Sequence, residues 1–232
     1  MAATVAALTG FAGLGTWQLD RAAEKRALLA EYADGQRTTA SLTASAATLP
    51  RYQRVMASGR FDATRQILLD NMPSAAGTPG YQVLTPFLLD DGGVVLVNRG
   101  WIALGRSRNE LPSLAVAEGP RRIEGILDRL PVPGMRLGTP AEPTATWPRV
   151  LNFPEHLELA ALYGPALLEP QLLLDPDAAD GFARDWSVRI GVGPLRHVGY
   201  AVQWFALGVA LIVIFFVVNL KRPAAADKSE TS

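Results

Sequence analysis

The sequence predicts a membrane protein in which two terminal transmembrane α-helices flank a mostly β (α+β) extramembrane domain. Three observations predict it. From Val198 to Val218 no residue is charged, and Gln203 is the only strongly polar one. From Met1 to Leu19 there is likewise no charged side chain. Between these ends lie short alternating or continuous apolar runs punctuated by Gly, Pro and Asp, the pattern of strands and turns.

The first element is a transmembrane helix over 1–19 that stops abruptly at Asp20-Arg-Ala-Ala-Glu-Lys-Arg. No basic residue precedes its apolar stretch, as a cleavable signal peptide requires, so a retained anchor is expected. Thr4, Thr9 and Thr16 make it only moderately hydrophobic. Residues 20–50 follow as a helical extension, Ala22 to Tyr32, and a loop of small polar residues, Thr38 to Leu49. The mostly β domain is expected over 51–192. Its strands are read at Arg54–Phe61, at Gln66–Asp70, at Gln82–Leu89 and at Val94–Arg99, the last two joined by Asp90-Asp-Gly-Gly, a hairpin signal. Pro86 lacks an N–H, which predicts an edge or a bulge there. Arg121–Arg129 adds a further strand of alternating character. Pro131 to Pro148 carries five of the 17 prolines and predicts an irregular loop. Phe153 to Tyr163 predicts a helix capped by Asn152 and stopped at Gly164-Pro165. Leu172–Asp175 and Trp186–Arg189 read as late strands. No internal repeat is visible.

The last element is the second transmembrane helix, 197–220, followed by a polar tail, 221–232. At about 1.5 Å per residue its uncharged run spans roughly 30 Å, the thickness of a bilayer core. Lys221 and Arg222 follow it and predict a cytoplasmic C-terminus. With two spans both ends then lie in the cytoplasm, and residues from about Glu24 to Arg189 lie outside.

Composition narrows the chemistry. Twenty-two basic residues balance 22 acidic ones, so no basic excess points to nucleic acid. Cysteine is absent, which excludes disulfides and thiolate chemistry. There are two histidines, His156 and His197, too few for a multi-histidine metal site in one chain. No G-x-S-x-G elbow, P-loop or H-E-x-x-H is present, so no enzyme activity is expected. His156, in FPEHLELAALYG, reads as a solvated helix residue.

Three constellations remain. In GTWQLDRAAEK, Gln18, Arg21 and Lys25 share a helix face, beside Trp17. In VNRGWI, Gly100 permits an unusual backbone angle, and Asn98, Arg99 and Trp101 are candidates to contact an anionic partner. In HVGYAVQWF, His197, Tyr200, Ala201 and Trp204 fall within about a 100° arc of one helix face, with Gln203 beside Tyr200. Each has a plainer reading. Trp17, Tyr200 and Trp204 suit an interfacial aromatic belt, and VNRGWI suits a strand end with a core Trp. The sharper reading of the third is a helix mouth that presents His197 as an axial haem ligand.

Taken in order, GTWQLDRAAEK, RVMASGRFD, LLDN, GYQVLTPFLLDDGGVVLVNRGWI and PLRHVGYAVQWFALG resemble the Surfeit locus protein 1 family, membrane proteins that assist assembly of cytochrome c oxidase. The pieces span nearly the whole chain, although about Gly105 to Asp185 carries no matching motif. The resemblance implies a helix, a mostly β domain outside the energy-conserving membrane, and a second helix, here in a bacterial plasma membrane. It implies binding of haem a, passed to the largest subunit of the oxidase, with haem a synthase as a possible further partner beside the lipid bilayer. His197 is the residue carried over for the haem iron. Tyr200, Gln203 and Trp204 are placed to orient the ring or contact the macrocycle. If the helices pair, Trp17, Gln18 and Arg21 reach the same membrane face, where Arg21 could meet a propionate. The main rival is a cofactor-free structural chaperone docking on the same oxidase subunit; a tethered enzyme with an unrecognised site is weaker.

Overall fold

A computed structural model of the protein describes residues 1–45, 49–74, 76–105, 111–133, 146–188 and 191–220. The chain divides into two compact units, Met1–Ala30 with Arg189–Ser232, and Glu31–Val188. The first contains most of α1 (Ala2–Gly35) and all of α3 (Pro194–Asn219). The second contains β1 (Thr39–Ser41), β2 (Arg54–Phe61), β3 (Ile67–Leu69), β4 (Gly80–Leu89), β5 (Val94–Ala103), β6 (Arg121–Asp128), β7 (Arg149–Leu151), α2 (His156–Tyr163) and β8 (Leu167–Leu174).

The strands run in the order β1-β2-β6-β8-β5-β4-β3-β7, and an added β2–β4 pairing closes β2, β6, β8, β5 and β4 into a five-stranded barrel. Closure removes the open edges that a small sheet would otherwise present. β5 shows why its sequence reads Val-Val-Leu-Val without alternation. Val95 and Val97 enter one core cluster with Phe61, Phe87, Ile123 and Leu172. Val94 and Leu96 enter another, with Ile67, Leu84, Leu159 and Tyr163 of α2. Both faces of the strand are buried, so both must be apolar. Fully burying a side chain such as Phe87 or Leu172 contributes roughly 1.5–3 kcal/mol relative to exposure.

The β4–β5 hairpin forms at the expected turn. Gly92 has φ +93°, and Leu89 N–H donates to the Gly93 carbonyl at 2.8 Å. Asp91 is more than a turn residue, because its carboxylate accepts the Ala44 N–H at 2.7 Å and so ties the loop after β1 to the hairpin.

Four sequence expectations are corrected. Pro86 lies at neither an edge nor the bulge, which falls between Gln82 and Leu84. It sits where the neighbour of β4 changes from β3, paired through Leu84, to β2, paired from Phe87. Its carbonyl accepts from Asp62 N–H at 2.8 Å. A strand residue points N–H and C=O the same way, so the missing donor faces Asp62 just past the end of β2, and only the last reciprocal bond of that ladder is forgone. The helix near Phe153 begins later, at His156, with Glu155 and not Asn152 as its cap. A residue before proline is pushed out of the α region, and Phe153, before Pro154, has φ +50°. Glu155 N–H donates to the Glu158 carboxylate at 2.8 Å in a capping box. The stop at Gly164 stands. The stretch Thr38 to Leu49 is not all loop, since β1 pairs in parallel with Arg54–Met56. Trp186-Ser-Val forms no strand among the described residues; instead Trp186 Nε1–H donates to the Leu174 carbonyl at 2.7 Å, packing the chain across β8. Most of the expected proline-rich loop, residues 134–145, lies outside the described residues, as does the polar tail.

Among the described residues, α3 is the one helix long and apolar enough to cross a membrane, with a mean hydropathy of 2.6 over its best window and 6% of that window buried. α1 is long, at 34 residues, but its threonines, glycines and Gln18 dilute its apolar content.

Candidate functional site

α1 and α3 pack antiparallel through a seam with heptad-like spacing. On α1 the seam positions are Phe11, Gly15, Gln18 and Ala22, and on α3 they are His197, Ala201, Trp204 and Gly208. Ala22 and Ala201 are fully buried. A Cβ on Gly15 would come within 2.6 Å of the Phe205 ring, so a larger residue there would have to displace that ring. Phe11 and Trp204 stack with ring centroids 5.9 Å apart. At one end of this apolar seam, His197 Nδ1 lies 2.7 Å from Gln18 Oε1. That is the seam's one polar side-chain contact between the helices among the described residues.

The structure therefore brings together His197, Gln18 and Trp204 from the residues singled out in the sequence. It turns Trp17, Tyr200 and Gln203 off the seam; Trp17 is 52% and Tyr200 46% exposed. Arg21 neighbours the seam, where its guanidinium donates to Glu24 at 2.6 Å. Sequence reasoning missed Phe11, Gly15 and Ala22. Their signal was present: Gly15 and Ala22 are seven apart, as are Ala201 and Gly208, the spacing of a small-residue helix contact.

The VNRGWI stretch is interior. Asn98 is 1% and Arg99 2% exposed. Asn98 Nδ2 donates to Gln82 and Gln171, both at 3.0 Å. Arg99 donates from Nε to the Asp180 carbonyl at 2.6 Å, from Nη1 to Gln66 Oε1 at 3.1 Å and the Leu114 carbonyl at 3.0 Å, and from Nη2 to the Ala115 carbonyl at 2.7 Å. Its guanidinium also lies 4.9 Å from the Phe182 ring centroid. Burial pushes Arg99 down to about 10, against the nearby Asp180 charge. Gly100 has φ +110°, and a Cβ there would meet the Ala183 carbonyl at 2.7 Å. Trp101 Nε1–H donates to the Met72 carbonyl at 2.7 Å. The group expected to meet an anionic partner is thus consumed inside the domain. It pins two loops, around Leu114 and Asp180, to the barrel.

His156 is not freely solvated. It opens α2 and lines a surface groove of about 670 Å³ with Arg129, Val132 and Glu169. Among the described residues, no group of three or more His, Asp or Glu could hold a metal ion.

The same elements carry the family pattern. The model of the SURF1 family matches residues 5–209, from within α1 to within α3. The chain belongs to the SURF1 family. Similar relatives include a SURF1-like protein of Rickettsia conorii, 29% identical over 92% of this chain and 88% of the relative. A SURF1-like protein of Monosiga brevicollis is 27% identical over 90% of this chain and 83% of its own. Surfeit locus protein 1 of Takifugu rubripes is 27% identical over 90% of this chain and 92% of its own. The range matched by the SURF1 model includes the stretch from Gly105 to Asp185, where no motif stood out. In this SURF1 member GTWQLD and HVGYAVQWF fall on facing helices, whereas VNRGWI belongs to the barrel.

Proposed function

We propose that this SURF1 member is a non-enzymatic assembly factor for cytochrome c oxidase. It holds haem a at the α1–α3 pair and passes it to the largest oxidase subunit. The observation that carries the reading is His197. It is a side chain able to donate to iron, placed at one end of an otherwise apolar helix seam. One ring nitrogen lies against Gln18, and the other makes no hydrogen bond among the described residues. Neutral imidazole is the common protein donor to haem iron. Trp204, farther along the seam, is an aromatic side chain stacked on Phe11, and Tyr200, Gln203, Trp17 and Arg21 lie on the outward faces of the two helices, where they can contact the rim of the macrocycle. Haem a is the cargo here; the chain contributes one donor, an apolar shelter and polar groups at its rim.

The reading places both helices in the bacterial plasma membrane. α1 qualifies through pairing and internal satisfaction. The Thr9 hydroxyl donates to the Val5 carbonyl at 3.0 Å and that of Thr16 to the Ala12 carbonyl at 3.0 Å, so neither brings an unmet donor into lipid. Its small-residue face packs on α3, which supplies the apolar surface. Lys221 and Arg222 put the C-terminus in the cytoplasm, and two spans put the barrel in the periplasm.

The test is spectroscopic. Full-length protein purified in detergent from cells that make haem a should show a Soret band. His197→Ala should insert at parental level and lose most of it, while His156→Ala keeps it. A colourless parent that still co-purifies with the oxidase would replace the haem reading with a cofactor-free chaperone.

A further inference from the structure

We infer that Gln18 is a positioning residue that fixes the tautomer of His197, so that Nε2 is the nitrogen offered to iron. The inference rests on the haem reading above and adds the atom that makes the bond and the residue that selects it.

The argument starts from donor and acceptor inventory. A glutamine Oε1 carries lone pairs and no hydrogen. At 2.7 Å from His197 Nδ1 it can only accept, so Nδ1 carries the ring proton. In a neutral imidazole the other nitrogen then has the free lone pair. The seam offers no competing side-chain acceptor. α1 and α3 meet through Phe11, Gly15, Ala22, Ala201, Trp204 and Gly208, none of which can accept a hydrogen bond from its side chain. Among the described residues no backbone carbonyl accepts from the His197 ring, and Gln18 Oε1 is its one acceptor. An Nδ1–H turned away from Gln18 gives up this bond, a net loss of about 0.5–1.5 kcal/mol for a part-buried pair. The contact also spans two helices, from position 18 to position 197. It therefore fixes the rotation of the ring as well as its proton, and does so only when the helices are paired.

Metal-bound histidines generally donate their second ring N–H to an acceptor that orients the ring and raises its basicity. Gln18 fills that place with a neutral amide. The choice has a chemical consequence for a carrier. A carboxylate in this position would draw the imidazole toward imidazolate and strengthen the bond to ferric iron. A neutral acceptor orients the donor while leaving the bond weak enough for release.

The experiment has two arms. In the first, protein labelled with 15N-histidine in the His156→Asn background is purified in detergent from cells unable to make haem a. The 15N shifts of the one remaining ring report its tautomer without any haem. The expected result is an Nδ1–H, bare Nε2 pattern in the parent and a mixture in Gln18→Leu. A parent with the proton on Nε2 overturns the inference, whatever haem does. In the second arm Gln18→Leu and Gln18→Glu are made in the full chain and haem is titrated in. Gln18→Leu should bind about tenfold or more weakly, the usual effect of removing such a partner. Gln18→Glu, which keeps an acceptor, should restore binding and lower the midpoint potential of the bound haem. A merely structural glutamine would move neither the potential nor the tautomer. If His197→Ala loses haem while both Gln18 variants match the parent in affinity and potential, the positioning role falls and the ligand stands. If His197→Ala itself retains a parental spectrum, the haem reading falls.

Discussion

Replacing Arg99 by alanine should unfold the β unit more easily, although arginine at a strand end looks like a surface contact. Four of its acceptors set the magnitude. Gln66 Oε1 keeps a donor, the Thr85 hydroxyl at 2.7 Å, and the Leu114 carbonyl keeps Gln66 Nε2–H at 3.0 Å. The carbonyls of Asp180 and Ala115 lose theirs. Each bond from a charged donor is worth about 1.5–3 kcal/mol, and the removed side chain leaves a gap beside Phe182. Part of this is offset, because a guanidinium whose bonds all run to neutral groups no longer has to be kept out of water. The net destabilisation is about 2–4 kcal/mol. With a urea slope of about 1–3 kcal/mol per M, the midpoint should fall by roughly 1–2 M. Trp101, Trp147 and Trp186 lie in this unit and report unfolding by fluorescence in the full-length protein in mild detergent. Arg122→Ala, on an exposed position of β6, is the control and should move the midpoint little. An Arg99→Ala protein with parental midpoint and parental abundance in cells would refute the reasoning. It would return Arg99 to the role of a partner contact.

Gly100→Val should be worse, because it combines φ +110° with a Cβ 2.7 Å from the Ala183 carbonyl; immunoblots should show loss of the protein, and normal levels would mean the turn can relax. For topology, a periplasm-only reporter should be active when fused at Gly92 and silent at Ser232. Activity at Ser232 would sink the two-span arrangement.

Much of this protein is legible one residue at a time. The uncharged run of α3, the Asp-Asp-Gly-Gly hairpin, the strands at Arg54–Phe61 and Arg121–Asp128 and the positive φ of Gly100 all follow from local rules. Length, charge and turn chemistry act within a few residues and need no distant contact. His197 was also legible as a candidate, because it is the histidine beside the apolar run. What tertiary structure decided is which polar side chains face inward. Arg99 reads like Arg122 in sequence. It is buried because the loops around Leu114 and Asp180, distant in the chain, offer their carbonyls to it. Pro86 is tolerated in an interior strand only because two neighbours of β4 end and begin beside it. Gln18 lies 179 positions from His197, and nothing in its own helix names that partner. Packing of α1 on α3 brings His197 against Gln18. Side-chain pairing across elements depends on register and distance of approach, which no local pattern encodes.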